Sequence, residues 1–181
     1  MNATFEGAVE AIVAGDLTKL SELLAANPDL AKARSARVHR ATLLHYVSAN
    51  GVEDERQRTP INAAEIAKAL IAAGSDVDAT FLDGKSGTTP LVSLVTSIHP
   101  HNAGVAADLV KIFVEAGANV EGLNDDGEPL RLAIEFGYAA SVEALIEAGA
   151  SINQMQNYRA GSQAAEDVKQ RYMERGAAAA L

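Results

Sequence analysis

Asp83 to Leu91 reads DGKSGTTPL, and Gly84-Lys85-Ser86 has the residue types that close a phosphate-cradling loop, in which backbone amides and a lysine hold the phosphates. Such a loop needs a glycine five residues before Gly84 and an apolar strand to aim it. Position 79 is Ala79 and no such strand precedes it, so the phosphate reading is set aside. A second candidate is the pair His99 and His101 around Pro100, because two imidazoles with carboxylates such as Glu53, Asp54 and Glu55 could hold a divalent metal for hydrolysis. A zinc site needs a third ligand, and no H-E-x-x-H spacing supplies one; solvated loop histidines are the simpler reading. His39 is read as exposed in a basic stretch and His45 as structural. With no G-x-S-x-G elbow in the chain, no nucleophile, base and orienter can be assembled. No catalytic, metal-ligating or cofactor-binding residue is expected, and no cofactor.

Composition narrows the classes further. The 181 residues carry a formal net charge of −9, which repels a phosphate backbone, so nucleic acid is not an expected partner. Cysteine is absent, which removes disulfides, thiol nucleophiles and Cys-based metal sites. The N-terminal stretch lacks a basic lead followed by an unbroken apolar run, and nowhere do 18 consecutive apolar residues occur. A cytoplasmic protein with no membrane partner is the expectation. A hydrophobic fraction of 48% with only 4% aromatics makes the core one of Ala, Leu, Ile and Val, which suits close-packed helices.

The elements that would position any site repeat along the chain. AEIAKALIAAGSDVDA from Ala64, ADLVKIFVEAGANVEG from Ala107 and ASVEALIEAGASIN from Ala140 are copies of one pattern, their glycines Gly74, Gly117 and Gly149 standing 43 and 32 residues apart. Apolar residues three and four apart, such as Leu109, Ile112 and Phe113, make one helix face. The glycine that follows predicts the helix end, since it enters the left-handed region without steric cost. LSELLAANPDL is a degenerate fourth copy, with Asn27 in the glycine's place and Pro28 forbidding further helix. Each helix is preceded by a shorter one, and Pro90 and Pro129 suit first-turn positions.

These residues resemble the ankyrin-repeat family. Gly87-x-Thr89-Pro90-Leu91 matches its G-x-T-P-L, Thr42-Leu43-Leu44-His45 its T-P-L-H, and the thrice-repeated A-G-[AS]-x-[VI]-[DEN] its link; the likeness covers about residues 5 to 155. NPDLAKARS and the paired insertions look like bacterial members with an N-terminal capping unit. Glu128 departs from the motif threonine, and the third unit lacks the glycine that ends its first helix. The resemblance implies an all-α solenoid of about four helix-turn-helix units linked by β-hairpin fingers. One domain over residues 1–181 is expected, with units near 4–36, 37–80, 81–122 and 123–155 and a C-terminal capping helix in 156–177, striped by Ala164, Val168 and Tyr172. It also implies that His45 bonds loop backbone between units, and that Asp83 to Gly87 form a hairpin tip.

Function, by the same resemblance, means holding another protein without catalysis, the chain itself being a monomer. Contacts would come from the fingertips, Leu82, Asp83, Lys85, Asn124, Asp125 and Asp126, and from the exposed ends of the inner helices, Ala49, Asn50, Thr96, Glu135 and Phe136. Phe136 is the preferred anchor, because aromatics supply a disproportionate share of interface energy; packing against the C-terminal segment is its other reading. Two insertions, VEDERQRTPINA from Val52 and HPHNAGVA from His99, occupy equivalent places in neighbouring units and are expected to form one ridge, with Thr59-Pro60 capping the helix that follows. Lys32, Arg34, Arg37 and Arg40 form a basic shoulder, while Gly104 to Ala150 holds nine acids against Lys111 and Arg131, so a basic partner is favoured at that end. The alternatives are a small metal-dependent hydrolase using the loop histidines and a self-associating scaffold.

Overall fold

Short helices with one apolar face must find partners, and the chain supplies them in pairs. The computed structural model describes residues 2–81, 87–123 and 128–152. Within them lie α1 (Asn2–Ala14), α2 (Leu17–Ala26), α3 (Leu43–Ser48), α4 (Ala63–Ala72), α5 (Pro90–Val95), α6 (Ile98–Asn102), α7 (Ala106–Glu115), α8 (Glu128–Glu135) and α9 (Ala139–Glu147). The pairs α1/α2, α3/α4, α5/α7 and α8/α9 pack within units. Between units, α1, α3, α5 and α8 stack as one layer and α2, α4, α7 and α9 as a second. The core runs unbroken between the layers, through Ile12, Leu20, Leu44, Leu70, Leu91, Leu109, Phe113, Leu130 and Leu145.

The glycine expectation holds in atomic detail. At the end of α7, the Gly117 amide donates to Val114 O and the Ala118 amide to Phe113 O, both at 2.9 Å, with Gly117 at φ 101°. Two otherwise orphaned carbonyls are thereby satisfied. Asn27 departs from the expected pattern: it is not left-handed, at φ −139°, and its Nδ2 donates to Leu23 O at 2.9 Å instead. Pro28 ends the α-helix but opens a 3-10 turn, Pro28–Lys32, because proline suits a first turn. In the third unit, where the glycine is missing, Thr96 stays right-handed and the chain restarts as α6 with Ser97 as its N-cap. The HPHNAGVA insertion, read as a loop, thus begins as a helical turn.

Links between units are sealed by polar groups. Ser75 Oγ donates to Ala31 O at 2.9 Å, the Asn119 amide bonds both Asp78 oxygens at 3.1 and 3.2 Å, and the Ser151 amide donates to Glu121 Oε1 at 2.6 Å. On the other layer, Ser48 Oγ donates to Pro90 O at 2.7 Å and Ser97 Oγ to Ala49 O at 2.9 Å. No β-strand occurs among the described residues; the link between the first two units carries an isolated antiparallel bridge, Arg34 to Thr42. The expected fingertips at 82–86 and 124–127 and the capping segment 156–177 lie outside the described residues.

A β-carbon at Gly117 would meet nothing within 4 Å, so only its backbone conformation resists substitution. Gly117→Ala should lower stability by about 1 kcal/mol with an unchanged m-value in urea unfolding.

Candidate protein-binding surface

The ends of the first-layer helices were expected to offer Ala49, Asn50, Thr96, Glu135 and Phe136, and the structure sorts them: Ala49 is buried, not exposed, because the chain turns over it. Asn50 Nδ2 donates to Thr96 Oγ1 at 2.8 Å, so these two half-buried side chains are used in joining adjacent units. Glu135 is exposed and pairs with Arg131 one helical turn earlier, at 3.3 Å. Phe136 is 51% exposed and its ring lies 5.8 Å from that of Tyr138. Tyr138 in turn stacks on His101 at 4.4 Å, which carries α6 onto the fourth unit. Ile98, one turn before His101 on α6, is also exposed. His101, Tyr138 and Phe136 therefore form a continuous aromatic run, and sequence reasoning missed two of its three members. Leu82, Asp83, Lys85, Asn124, Asp125 and Asp126 lie outside the described residues.

The two insertions turn toward different neighbours. The later one leans forward through His101 on Tyr138, whereas the earlier one folds back on the first unit. Arg56 Nη1 meets Glu6 at 2.6 Å, and Asn62 Nδ2 donates to Gly15 O at 2.9 Å. Thr59-Pro60 does not cap α4, whose N-cap position is Asn62; Thr59 Oγ1 is buried without a hydrogen bond. No group of three potential metal ligands occurs among the described residues.

Glu53 sits at the start of the earlier insertion. The chain reverses through Ala49 at φ 52° and Gly51 at φ 72°, then runs back along α3. A β-carbon at Gly51 would lie 2.6 Å from the Phe81 ring, so glycine alone fits that approach. The return brings Glu53 to Arg37 Nε, to the Tyr46 hydroxyl at 3.0 Å and to within 3.7 Å of His39 Nε2. Burial opposes ionisation of Glu53. Its own backbone amide, the Tyr46 hydroxyl and the Arg37 charge outweigh it and hold the carboxyl below its usual range. Burial likewise pushes Tyr46 up to about 12, with the Glu53 charge adding to it.

The basic shoulder and His39 need correcting too. Arg34 Nη1 donates to Thr80 O at 2.6 Å, Arg40 Nη1 to Ser35 O at 3.2 Å, and Arg37 pairs with Glu53 and Glu6. These guanidiniums are tied to loop carbonyls and carboxylates. His39 is half-buried: its Nδ1 accepts from the Ala41 amide at 3.0 Å, and its ring meets Tyr46 and Phe81 edge-on.

A stack of paired helices closed by glycine turns is one signature; a family model makes it specific. The model for ankyrin repeats in three copies matches residues 60–156, more than half of the chain. The chain belongs to the ankyrin-repeat family. No curated protein matches it. Ankyrin repeats are protein-binding modules, typically without catalysis, and no helix among the described residues is long and apolar enough to cross a membrane.

In this ankyrin stack His45 performs the expected structural task. Its Nδ1 accepts from the Thr42 amide at 3.2 Å and lies 2.9 Å from Thr42 Oγ1, while Nε2 faces Thr88 O at 3.3 Å. With Nδ1 accepting, the proton belongs on Nε2, and the ring is neutral, stacked on Phe81 at 4.2 Å. Burial lowers its pKa from 6.5 to about 3. The unfolded chain protonates this residue first, so the folded state is favoured above pH 6.5 and loses ground as pH falls toward 3. Within that window His45 should contribute a loss of about 1.4 kcal/mol per pH unit. His45→Gln, although less stable at pH 7, should show a shallower acid slope by urea midpoints measured from pH 7 to 4.

Proposed function

We propose that the chain is a non-catalytic protein-interaction module that docks its partner along the exposed ends of the first-layer helices. The supporting observation is the aromatic run at the fourth unit, where Phe136 stands open to solvent beside Tyr138 and His101. An exposed aromatic fixed against a rigid neighbour loses little freedom on docking and gains a large contact area. Glu135 borders it, and the fingertip residues Leu82, Asp83, Lys85, Asn124, Asp125 and Asp126 extend the proposed surface. Asn50 and Thr96 take part as a fixed, hydrogen-bonded pair. The acidic balance of Gly104 to Ala150 favours positive charge on the partner at this end. The proposed working form is a monomer.

Affinity capture with the chain as bait, followed by affinity measurement on the captured protein, tests this. Phe136→Ala should leave unfolding free energy within about 0.5 kcal/mol, as for exposed sites, while weakening capture by about tenfold or more. Capture should also decline as salt rises from about 0.1 to 0.5 M. A lowered melting temperature with unaltered capture would return Phe136 to a packing role and remove the anchor.

A further inference from the structure

The earlier insertion returns to the first layer at α3, where Glu53 meets Tyr46. Glu53, 14% exposed, is its most enclosed charged side chain, and two elements present it with donors: Arg37 and His39 from the link between the first two units, and Tyr46 from α3. Around it the insertion is tied to the first unit through Arg56 and Glu6 at 2.6 Å, and its remaining contacts are few. The 3-10 turn Asp54–Arg56 has no buried residue, and Val52 is the buried apolar contact beside it. The fit at Glu53 is also incomplete. His39 Nε2 is buried with no hydrogen bond, its 3.7 Å to Glu53 Oε2 being too long for one. Arg37 is 44% exposed and keeps Glu6 as a second counter-charge at 3.5 Å, so the donor set persists if Glu53 leaves.

We propose that Arg37, His39 and Tyr46 form a carboxylate-binding subsite of the protein-binding surface, which Glu53 fills in cis and an acidic side chain of a partner segment fills on docking. Tyr46 and Arg37 supply a hydroxyl and a guanidinium donor from different directions, and His39 Nε2 supplies a third that Glu53 leaves unmet. A carboxylate side chain free to enter at a different angle can reach all three. Gly51–Gln57 then acts as an internal competitor, and the apparent affinity of a partner is reduced by the fraction of chains in which the insertion is seated. A partner segment suited to the whole surface presents a carboxylate here and positive charge toward the acidic units.

This inference rests on the protein-binding reading, yet its test does not involve Phe136. The probe is an acetylated, amidated heptapeptide, GVEDERQ, titrated into isotope-labelled full-length chain and followed by amide and side-chain NMR shifts. Glu53→Ala should bind it saturably, with shifts centred on Arg37, His39 and Tyr46, at least about tenfold more tightly than the native chain. The same peptide with glutamine in place of its first glutamate should lose about tenfold or more. Equal binding by native chain and variant, equal binding of the two peptides, or no shifts in the variant up to about 10 mM peptide would overturn the proposal. Glu53→Ser is the second variant; failure of both to fold would overturn it as well, since a displaceable occupant cannot be indispensable. Loss of the Phe136→Ala effect with intact peptide binding would instead remove the docking anchor and leave this subsite in place.

Discussion

A helix of six residues forms too few internal hydrogen bonds to persist in water, and α3 and α5 are that short. They exist because every residue in both is buried between neighbours. Lateral packing of units is therefore the condition on which the molecule depends. Each unit supplies half of a core that its neighbour completes, so loss of one boundary exposes apolar surface on both sides. The polar seals at Ser48, Ser75, Asp78, Ser97 and Glu121 are consistent with this. They satisfy backbone groups that stacking would otherwise bury unpaired.

The same condition decides which surfaces stay open. Facing sides of the helices are consumed by stacking, which leaves the helix ends, the links and the insertions uncovered. The insertions make the two halves of that edge unlike. One folds back and places a carboxylate among donors at the first two units, and the other leans forward and builds an aromatic run on the fourth. A uniform stack is thereby given a direction, with a closed charged end and an open aromatic one.

The repeat was legible from residues alone because it is written in local rules. Gly74, Gly117 and Gly149 mark helix ends through backbone conformation, and Thr89 caps α5 through a side-chain oxygen that accepts from the Val92 amide three residues on. Where the local rule was weaker, the reading failed. Asn27 has a side chain that can bond its own helix, so it did not need the left-handed turn expected of it. Thr59-Pro60 has the right types for a helix start, but the chain is drawn to Gly15 through Asn62 and the helix starts later.

The amino-acid order by itself determined the family and the helix pairs, since each follows from residues within a few positions of one another. Tertiary structure alone decided which polar side chains meet. Glu53 lies far in sequence from Arg37 and His39, and His101 from Tyr138; nothing in their spacing announces the contact. Local conformation is set by short-range sterics and hydrogen bonding, whereas these pairings depend on how two insertions pack across a stack that exists only after its units have come together.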